Sequence, residues 1–486
     1  MRGNRKTHIL VLFFILSGLF AQAQNDTIPK TDTTEAVIIA GIHFQGNRHT
    51  KDYVIARDLT FRKGDTLLIK DLNAALDRSQ KNIFNTALFN DVKVEAVMLN
   101  PGERDIFITV KERWYIIPAP VFQLYDRNYK EWWKTYDHDI RRVTYGVRFS
   151  HKNFSGRKDK LDIFLVGGFS KQVLLRYSQP YADRKLRHGF SVAAGYSEKI
   201  GESYQILGNT YMPRDTCRDY NGDGVADCGG DTALNYRVFS SRERFISAGY
   251  SYRKGLYVTH AAGIGILNKN VADTVVRLNK DFFGSGRTNE TFYTISYSYN
   301  YSKVDYIPYP LIGQYYTAGI QSRIARHSQS QVLLYAYYGR YFRLFPKFYF
   351  ATQAAVATRM PAKQSFYNLR STNLQIGNIR GLEQYAIHGT LEGYLKNTLR
   401  FALLDLRLSL PVLKKIRNHE FIPLKVYLKA FGDLAYSHID FPNTRFLNNK
   451  LLRTGGVGID FVTIYDLTLR IDFSVNQFGQ YGVYFK

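Results

Sequence analysis

The feature that most constrains the fold is a series of alternating segments that fills the chain from about residue 114 onward. In one segment the apolar side is Tyr293, Ile295, Tyr297, Tyr299 and Tyr301, and the polar side is Thr294, Ser296, Ser298, Asn300 and Ser302. Successive side chains of a β-strand point to opposite faces, so this alternation predicts strands with one apolar and one polar face. The segments are roughly ten residues long, the length at which a tilted strand crosses a bilayer.

The number of these segments favours a closed barrel. About sixteen can be placed, near residues 115–126, 141–151, 159–170, 171–180, 186–197, 241–254, 256–268, 290–303, 313–325, 330–343, 346–359, 397–411, 422–437, 451–464, 466–477 and 480–486. An even number lets antiparallel strands close, and closure gives every backbone group a partner in hydrocarbon. Arg470 and Asp472 share a polar face, which fits an aqueous lumen better than the dry core of the alternative, a soluble all-β fold.

Residues 1–23 have the pattern of a secretory signal peptide. Arg2, Arg5 and Lys6 precede an apolar run over residues 9–20 that is too short to span a bilayer. Small residues at 21 and 23 predict cleavage after Ala23, the alternative being an uncleaved anchor. A polar linker over residues 24–35 follows.

Residues 36–113 have a different pattern, which predicts a small α+β domain. A strand-like stretch at residues 37–44 is followed by two segments with helical spacing, residues 51–59 and 70–82. Two alternating stretches, 92–97 and 106–110, then flank a turn. The predicted order β-α-α-β-β packs two helices on one face of a small sheet. The fold class is therefore mainly β, with this domain ahead of a barrel of about sixteen strands over residues 114–486.

The formal net charge of +25 is a property that nucleic-acid-binding proteins share. Lys and Arg are spread along the strands, however, and an exported protein does not meet the genome, so we exclude nucleic acid. The cations suit an aqueous lumen or anionic lipid headgroups of the outer membrane. No set of residues with a nucleophile, a base and an orienting group is evident, so we predict no catalytic residues and no enzyme activity. A barrel hydrolase is the enzymatic alternative.

The chain's two cysteines, Cys217 and Cys228, bracket an acidic loop. The side chains of Asp219, Asn221, Asp223 and Asp227, with the carbonyl of Val225, place oxygen atoms at the spacing of a Ca²⁺ loop. No Glu stands at the twelfth position, and flanking helices are missing. We predict a disulfide in an oxidising compartment. Ca²⁺ binding and a plain acidic loop stapled by that bond both stay open, and no other cofactor is expected.

Several motifs carry a family resemblance when their order is considered. Residues 37–50 with 54–59 and 88–92 resemble a polypeptide-transport-associated (POTRA) domain. Residues 153–157, with 177–181, are similar to the early barrel of the BamA/TamA assembly-factor superfamily, the surface-antigen barrels. The segment Ile379–Leu382 is similar to the Val-Arg-Gly-Phe/Tyr motif of the loop that folds back into the barrel. The final strand, with Tyr481, Val483 and Phe485, resembles an outer-membrane sorting signal, although Lys486 follows it.

The resemblance implies a specific ion pair. In the family, the arginine of the loop motif meets a carboxylate on the thirteenth strand, where Asp433 stands here. Asp433 shares its parity with Lys425 and Lys429, which predicts an inward side chain that can reach Arg380. Gly381 permits the close backbone approach of a tucked loop. The alternative is an unrelated Arg-Gly turn in an external loop.

The resemblance also implies a function in outer-membrane protein biogenesis, by insertion or translocation of polypeptides. The POTRA domain would lie in the periplasm and receive unfolded outer-membrane or secreted clients, with accessory lipoproteins as further partners. The barrel would open between its first and last strands or pass the client through its lumen. A general insertase and a specialised paralogue are both open. The rival class is a passive channel or a surface adhesin.

Overall fold

The computed structural model describes most of the chain. The described residues are 36–124, 138, 140–183, 185–200, 203–207, 210–213, 240–370, 379–383, 385–408, 422–440, 445–463 and 466–485. The predicted signal peptide, the linker and the loop between Cys217 and Cys228 lie outside these residues.

The N-terminal domain is a four-stranded sheet with two helices. Its elements are β1 Ala36–Gln45, α1 Asp52–Ala56, β2 Thr66–Leu68, α2 Ile69–Phe84, β3 Phe89–Asn100 and β4 Glu103–Glu112. The strands lie in the order β2-β1-β4-β3, with β1 and β4 parallel and the other pairs antiparallel. The predicted order β-α-α-β-β lacked β2. That strand is only three residues long and is defined by its pairing with Ala36–Ile38, which local periodicity does not reveal.

The core of this domain follows from the amphipathic pattern of α2. Leu72, Leu76 and Ile83 lie about one helical turn or two apart and are buried against the sheet. Ile39 and Ile106 cover the facing side of β1 and β4 and are fully buried. Helix and sheet thus each bury one apolar face, as expected from the sequence.

Apart from one separate hairpin, the strands described after residue 113 form one antiparallel sheet of sixteen strands, which confirms the predicted number. Its strands are β5 Ile116–Leu124, β6 Val143–Lys152, β7 Lys160–Gly168, β8 Ser170–Gln179, β9 His188–Lys199, β12 Ser241–Lys254, β13 Val258–Val271, β14 Asn289–Val304, β15 Gly313–Ala325, β16 Gln331–Phe345, β17 Phe348–Met360, β18 Leu391–Leu408, β19 Ile422–His438, β20 Leu452–Val462, β21 Thr468–Asn476 and β22 Tyr481–Phe485. Each strand pairs with the next in this series, so the connections alternate between two ends. The N-terminal domain lies at one of them, which we call the POTRA end.

The alternation has the predicted orientation. Outward residues such as Ile246, Ile264 and Ile295 are 61%, 63% and 56% exposed. Inward polar residues such as Asp433 and Asp460 are each 1% exposed, because they contact partners inside the lumen. A wall that is apolar outside and polar inside is what a bilayer-spanning strand with a wet interior requires.

Smaller elements occupy the connections. They are a 3-10 helix at Ile140–Arg142, the hairpin β10 Ser203–Leu207 and β11 Thr210–Pro213, α3 Asp273–Leu278 and α4 Phe366–Arg370. No helix in the described part of the chain has the length and apolar character needed to cross a membrane.

The two ends of the strand series are not joined by a ladder in the described residues. β5 pairs with β6, and β22 pairs with β21, but no hydrogen-bonded register links β5 to β22 among them. The last strand has five residues, whereas its neighbour β21 has nine. The contact between first and last strands is therefore the least paired part of the described sheet.

Candidate functional site: an inward loop and an inward turn on one barrel wall

The connection between β17 and β18, residues 361–390, carries the Ile379–Leu382 motif. Ile379 and Leu382 are each 1% exposed and belong to one apolar cluster with Leu333 and Leu452 of the wall. Apolar side chains on both sides of Arg380 thus hold the described part of this loop against the barrel interior.

The structure brings Arg380 and Asp433 together. Arg380 Nε donates to Asp433 Oδ2 at 2.8 Å, and Nη2 donates to Oδ1 at 2.5 Å, which is a bidentate pair. The Arg380 guanidinium also donates to Thr398 Oγ1 at 3.1 Å and stacks 3.8 Å above the centroid of the Phe431 ring. The side chains of Arg380 and Asp433 are 11% and 0% exposed. Removal of one partner from a buried charge pair strongly destabilises the folded protein, because the other charge is then left without a partner.

Gly381 is placed where another residue would be strained. Its φ is +83°, and a Cβ there would lie 3.1 Å from Ser474 Oγ on β21. The backbone of Gly381 is also bonded on both sides, since its N–H donates to the Glu383 carboxylate and its carbonyl accepts from Asn476. The predicted close approach of this glycine to the wall is thus present in the structure.

A second buried ion pair closes the base of the loop and was missed from the sequence. Arg359 at the end of β17 lies 3.5 Å from Glu392 at the start of β18, and both side chains are 0% exposed. Nearby, burial and the charge of Arg359 lower the pKa of His388 to about 3, so this imidazole is neutral at physiological pH. Strand β18 begins at Leu391, whereas the sequence pattern predicted a start near residue 397. The early part of the strand was missed because a buried Glu392 followed by a glycine does not have the alternating pattern of a strand.

At the POTRA end, the turn between β14 and β15 enters the lumen. Tyr309 in this turn is 2% exposed and donates from its hydroxyl to Asp460 Oδ2 on β20 at 2.7 Å. Its ring packs 4.9 Å from that of Tyr427, and the Arg400 guanidinium lies 4.5 Å from its centroid. Arg400 Nη1 also donates to the Pro310 carbonyl. This inward turn was not predicted from the sequence, because a short connection that contains Tyr and Pro resembles any other strand connection.

Asp460 is part of a buried charge cluster. Lys429 Nζ lies 2.5 Å from Asp460 Oδ1 and 2.5 Å from Asp472 Oδ1, and all three side chains are at most 3% exposed. Strands β19, β20 and β21 each contribute one member. Lys429 and Asp433 lie on the same inward parity of β19, so the loop and the turn are anchored to one wall.

The N-terminal domain contacts the same turn. Asn85, just after α2, donates to the Asp305 carbonyl at 3.1 Å and accepts from the Ile307 N–H at 3.0 Å. Arg113 forms a bidentate pair with Asp466 in the β20–β21 connection, at 2.7 and 3.1 Å, and the Tyr306 hydroxyl donates to the same carboxylate. Burial opposes ionisation of Asp466, but Arg113 and Tyr306 outweigh it and lower its pKa.

The other predicted site residues have varied positions. Tyr481, Val483 and Phe485 lie in β22, on its outward parity, and are 77%, 55% and 71% exposed. The predicted Ca²⁺ ligands and the cysteines lie outside the described residues. Among the described residues, no three His, Cys, Asp or Glu side chains are grouped as metal ligands would be.

Comparison with known proteins identifies the two parts of the chain. Residues 37–113 match the model of the POTRA family described as surface antigen variable number repeat. No curated protein is significantly similar to the chain in sequence. The solved structure of CdiB from Escherichia coli is similar, with a TM-score of 0.50, 12% identity, and coverage of 92% of this chain and 75% of CdiB. BamA from Haemophilus ducreyi lacking POTRA domains 1–3 has a TM-score of 0.46 and 14% identity over 91% of this chain and 81% of that one.

The chain is thus a β-barrel protein with an N-terminal POTRA domain. Its described residues form one domain of the POTRA family followed by a 16-stranded antiparallel sheet, a fold that is similar to that of CdiB from Escherichia coli.

Proposed function

We propose that this protein inserts or translocates polypeptides at the outer membrane, with the barrel in that membrane and the POTRA domain in the periplasm. The observation that carries the proposal is the Arg380–Asp433 pair, which holds an inward loop against the barrel wall. A plain pore has no need of a buried loop that is fixed by a charge pair.

The POTRA domain supplies a surface for an extended client. Strand β3 is at the edge of its sheet, where among the described strands it pairs only with β4, so its outer backbone groups are free. Val97, Met98 and Leu99 near its end are 49%, 64% and 53% exposed. An unfolded chain can add a strand to such an edge through backbone hydrogen bonds, with little demand on sequence.

The rival function of a passive channel is less well supported. The loop at one end and the turn with Tyr309 at the other both reach into the lumen and bind β19 and β20. These segments narrow the path that a diffusing solute would need. A role as surface adhesin finds no specific support among the described residues.

Depletion of the protein tests the proposal. Loss of specific barrel proteins or surface proteins from the outer-membrane proteome is expected, and wild-type protein should restore them, whereas Asp433→Ala should not. An unchanged proteome together with loss of solute uptake would favour the channel. Cross-linking from a photoreactive residue at Met98 would identify bound clients and accessory lipoproteins. Outer-membrane lipids are the expected surroundings of the barrel.

A further inference from the structure

A cavity of about 290 Å³ lies between the POTRA domain and the barrel mouth. The POTRA side is formed by α2, with Arg78 and Asn82. The barrel side is formed by the neighbouring ends of β12, β13 and β14 and by four connections at the same end, which are β6–β7 with Lys158, β8–β9, β12–β13 with Tyr257, and β14–β15. The cavity is therefore lined by both the POTRA domain and the barrel mouth.

Positive charge exceeds negative charge at this cavity. Asp58 is its one carboxylate, and Asp58 Oδ1 is already shared by Arg253 at 2.8 Å and Arg57 at 3.7 Å. Among the described residues, no carboxylate lies within ion-pair distance of Arg78 or Lys158, although the charge of Asp58 acts on Lys158. Arg78 donates only from Nε, to the Tyr257 hydroxyl at 2.9 Å, and its other nitrogen atoms make no hydrogen bond within the described part of the chain.

Lys158 lies at the cavity in a backbone conformation that is unfavourable for lysine. Its φ is +64°, in the left-handed region that glycine adopts without strain. Its ammonium lies 5.8 Å from the centroid of the Tyr181 ring and makes no hydrogen bond to any described residue. Burial lowers the pKa of Lys158, although the charge of Asp58 opposes this effect. A strained residue whose desolvated ammonium makes no hydrogen bond to a described residue is a common sign of a binding position.

The residue types define the ligand. An ammonium and a guanidinium that face one polar space are the donors that bind an oxyanion. Asp58 beside them disfavours a dianion more than a monoanion. We propose that this cavity binds a carboxylate of a polypeptide on its way from the POTRA domain to the lumen, as an Asp or Glu side chain or a C-terminus, between Arg78 and Lys158. This inference rests on the proposed function and specifies one chemical feature of the client.

Peptide binding to the full-length protein in detergent tests the inference. The probes are an extended hexapeptide with one Glu, an amidated C-terminus and a neutral fluorophore, and the same peptide with Gln. Fluorescence anisotropy should show at least about tenfold tighter binding of the Glu peptide, the ratio expected for a hydrogen-bonded charge. Arg78→Gln and Lys158→Gly should each abolish this difference, whereas Arg62→Gln, on the exposed surface of the same domain, should preserve it.

The Lys158→Gly variant separates loss of peptide binding from loss of folding. Lys158→Gly relieves the left-handed strain, so its thermal midpoint should equal or exceed that of the wild type. Equal binding of the Glu and Gln peptides to the wild type would overturn the inference. Displacement of the Glu peptide by inorganic phosphate at lower concentration than by acetate would assign the cavity to phosphate and would also overturn it. The measurement needs no insertion activity, so its failure is separate from failure of the depletion experiment.

Discussion

Tyr309 and Asp460 join two distant parts of the barrel, since the turn before β15 donates a hydrogen bond to a strand five places along the sheet. The same turn is held from the other side by Asn85 of the POTRA domain. One short connection therefore contacts both the POTRA domain and the charge cluster of the lumen wall.

Removal of the Tyr309 hydroxyl should release this turn from the wall. Tyr309→Phe keeps the packing on Tyr427 but leaves Asp460 Oδ2 without its donor, at a cost of about 1–3 kcal/mol. We expect easier unfolding in denaturant and a larger single-channel conductance in planar bilayers. Tyr338→Phe, at a position 42% exposed on the outward face, is the control. Unchanged conductance would show that the turn does not limit the lumen.

Arg380 and Asp433 should behave as one unit. Arg380→Ala or Asp433→Ala leaves a buried charge alone, so each should destabilise the loop by about 3–5 kcal/mol and create protease sensitivity near residues 365–395. The double variant should be less affected than the sum of the two, because neither charge is then isolated. Arg340→Ala, at an exposed position of β16, should have little effect. Strict additivity would contradict the pair as the loop's anchor.

Gly381→Ala should weaken the same loop without removing any charge. An alanine at this position must adopt a φ of +83°, and its Cβ must lie 3.1 Å from Ser474 Oγ. Together these two strains cost about 1–3 kcal/mol. We expect the same protease sites as in Arg380→Ala, but weaker cleavage. Gly432→Ala, where a Cβ meets no atom within 4 Å, is the matched control. Equal resistance of both variants would argue against a tightly fitted motif.

Acid should loosen the POTRA domain from the barrel. The pKa of Asp466 is lowered in the folded protein, so its pair with Arg113 stabilises docking above the unfolded pKa near 3.8 and loses this effect as the pH falls through the lower folded value. Hydrogen exchange at the junction should rise below about pH 4. Asp466→Asn should raise exchange already at pH 7 and flatten this pH dependence. The control variant Asp77→Asn, at an exposed position, should change neither the exchange at pH 7 nor its pH dependence. If Asp466→Asn had the same pH profile of exchange as the wild type, the Arg113–Asp466 pair would be excluded as the cause of the acid effect.

The loop that carries Cys217 and Cys228 retains its prediction from the sequence. We expect a disulfide, because the two cysteines bracket one loop in an oxidising compartment. Thiol titration of the unreduced protein should therefore find no free thiol. Calorimetry with Ca²⁺ should show binding at millimolar levels if Asp219, Asn221, Asp223 and Asp227 act as ligands. Asp223→Asn should weaken the binding. Free thiols or an absence of heat would each reject one half of this prediction.

Different features of the chain were predictable to different degrees. Period-two alternation identified all sixteen barrel strands, since a wall between lipid and water imposes that pattern on each strand independently. The approach of Arg380 to Asp433 was predictable because a motif and strand parity indicate the same wall. Lys429, Asp460 and Asp472 were not predictable as a cluster, because only the register of three strands brings them together. Tyr309 and Lys158 were missed for a related reason, since their roles depend on contacts across a junction.

The attachment of α2 has a mechanical consequence. The helix has 16 residues and is therefore about 24 Å long, and its C-terminal end is fixed to the β14–β15 turn through Asn85. Arg78, near the middle of the helix, is also bonded to Tyr257 of the barrel, so two positions of one rigid helix are attached to the barrel mouth. Under the proposed function, a client that shifted the POTRA domain would pull on the connection that holds Tyr309. Force on the domain would then reach the lumen without any large rearrangement of the wall.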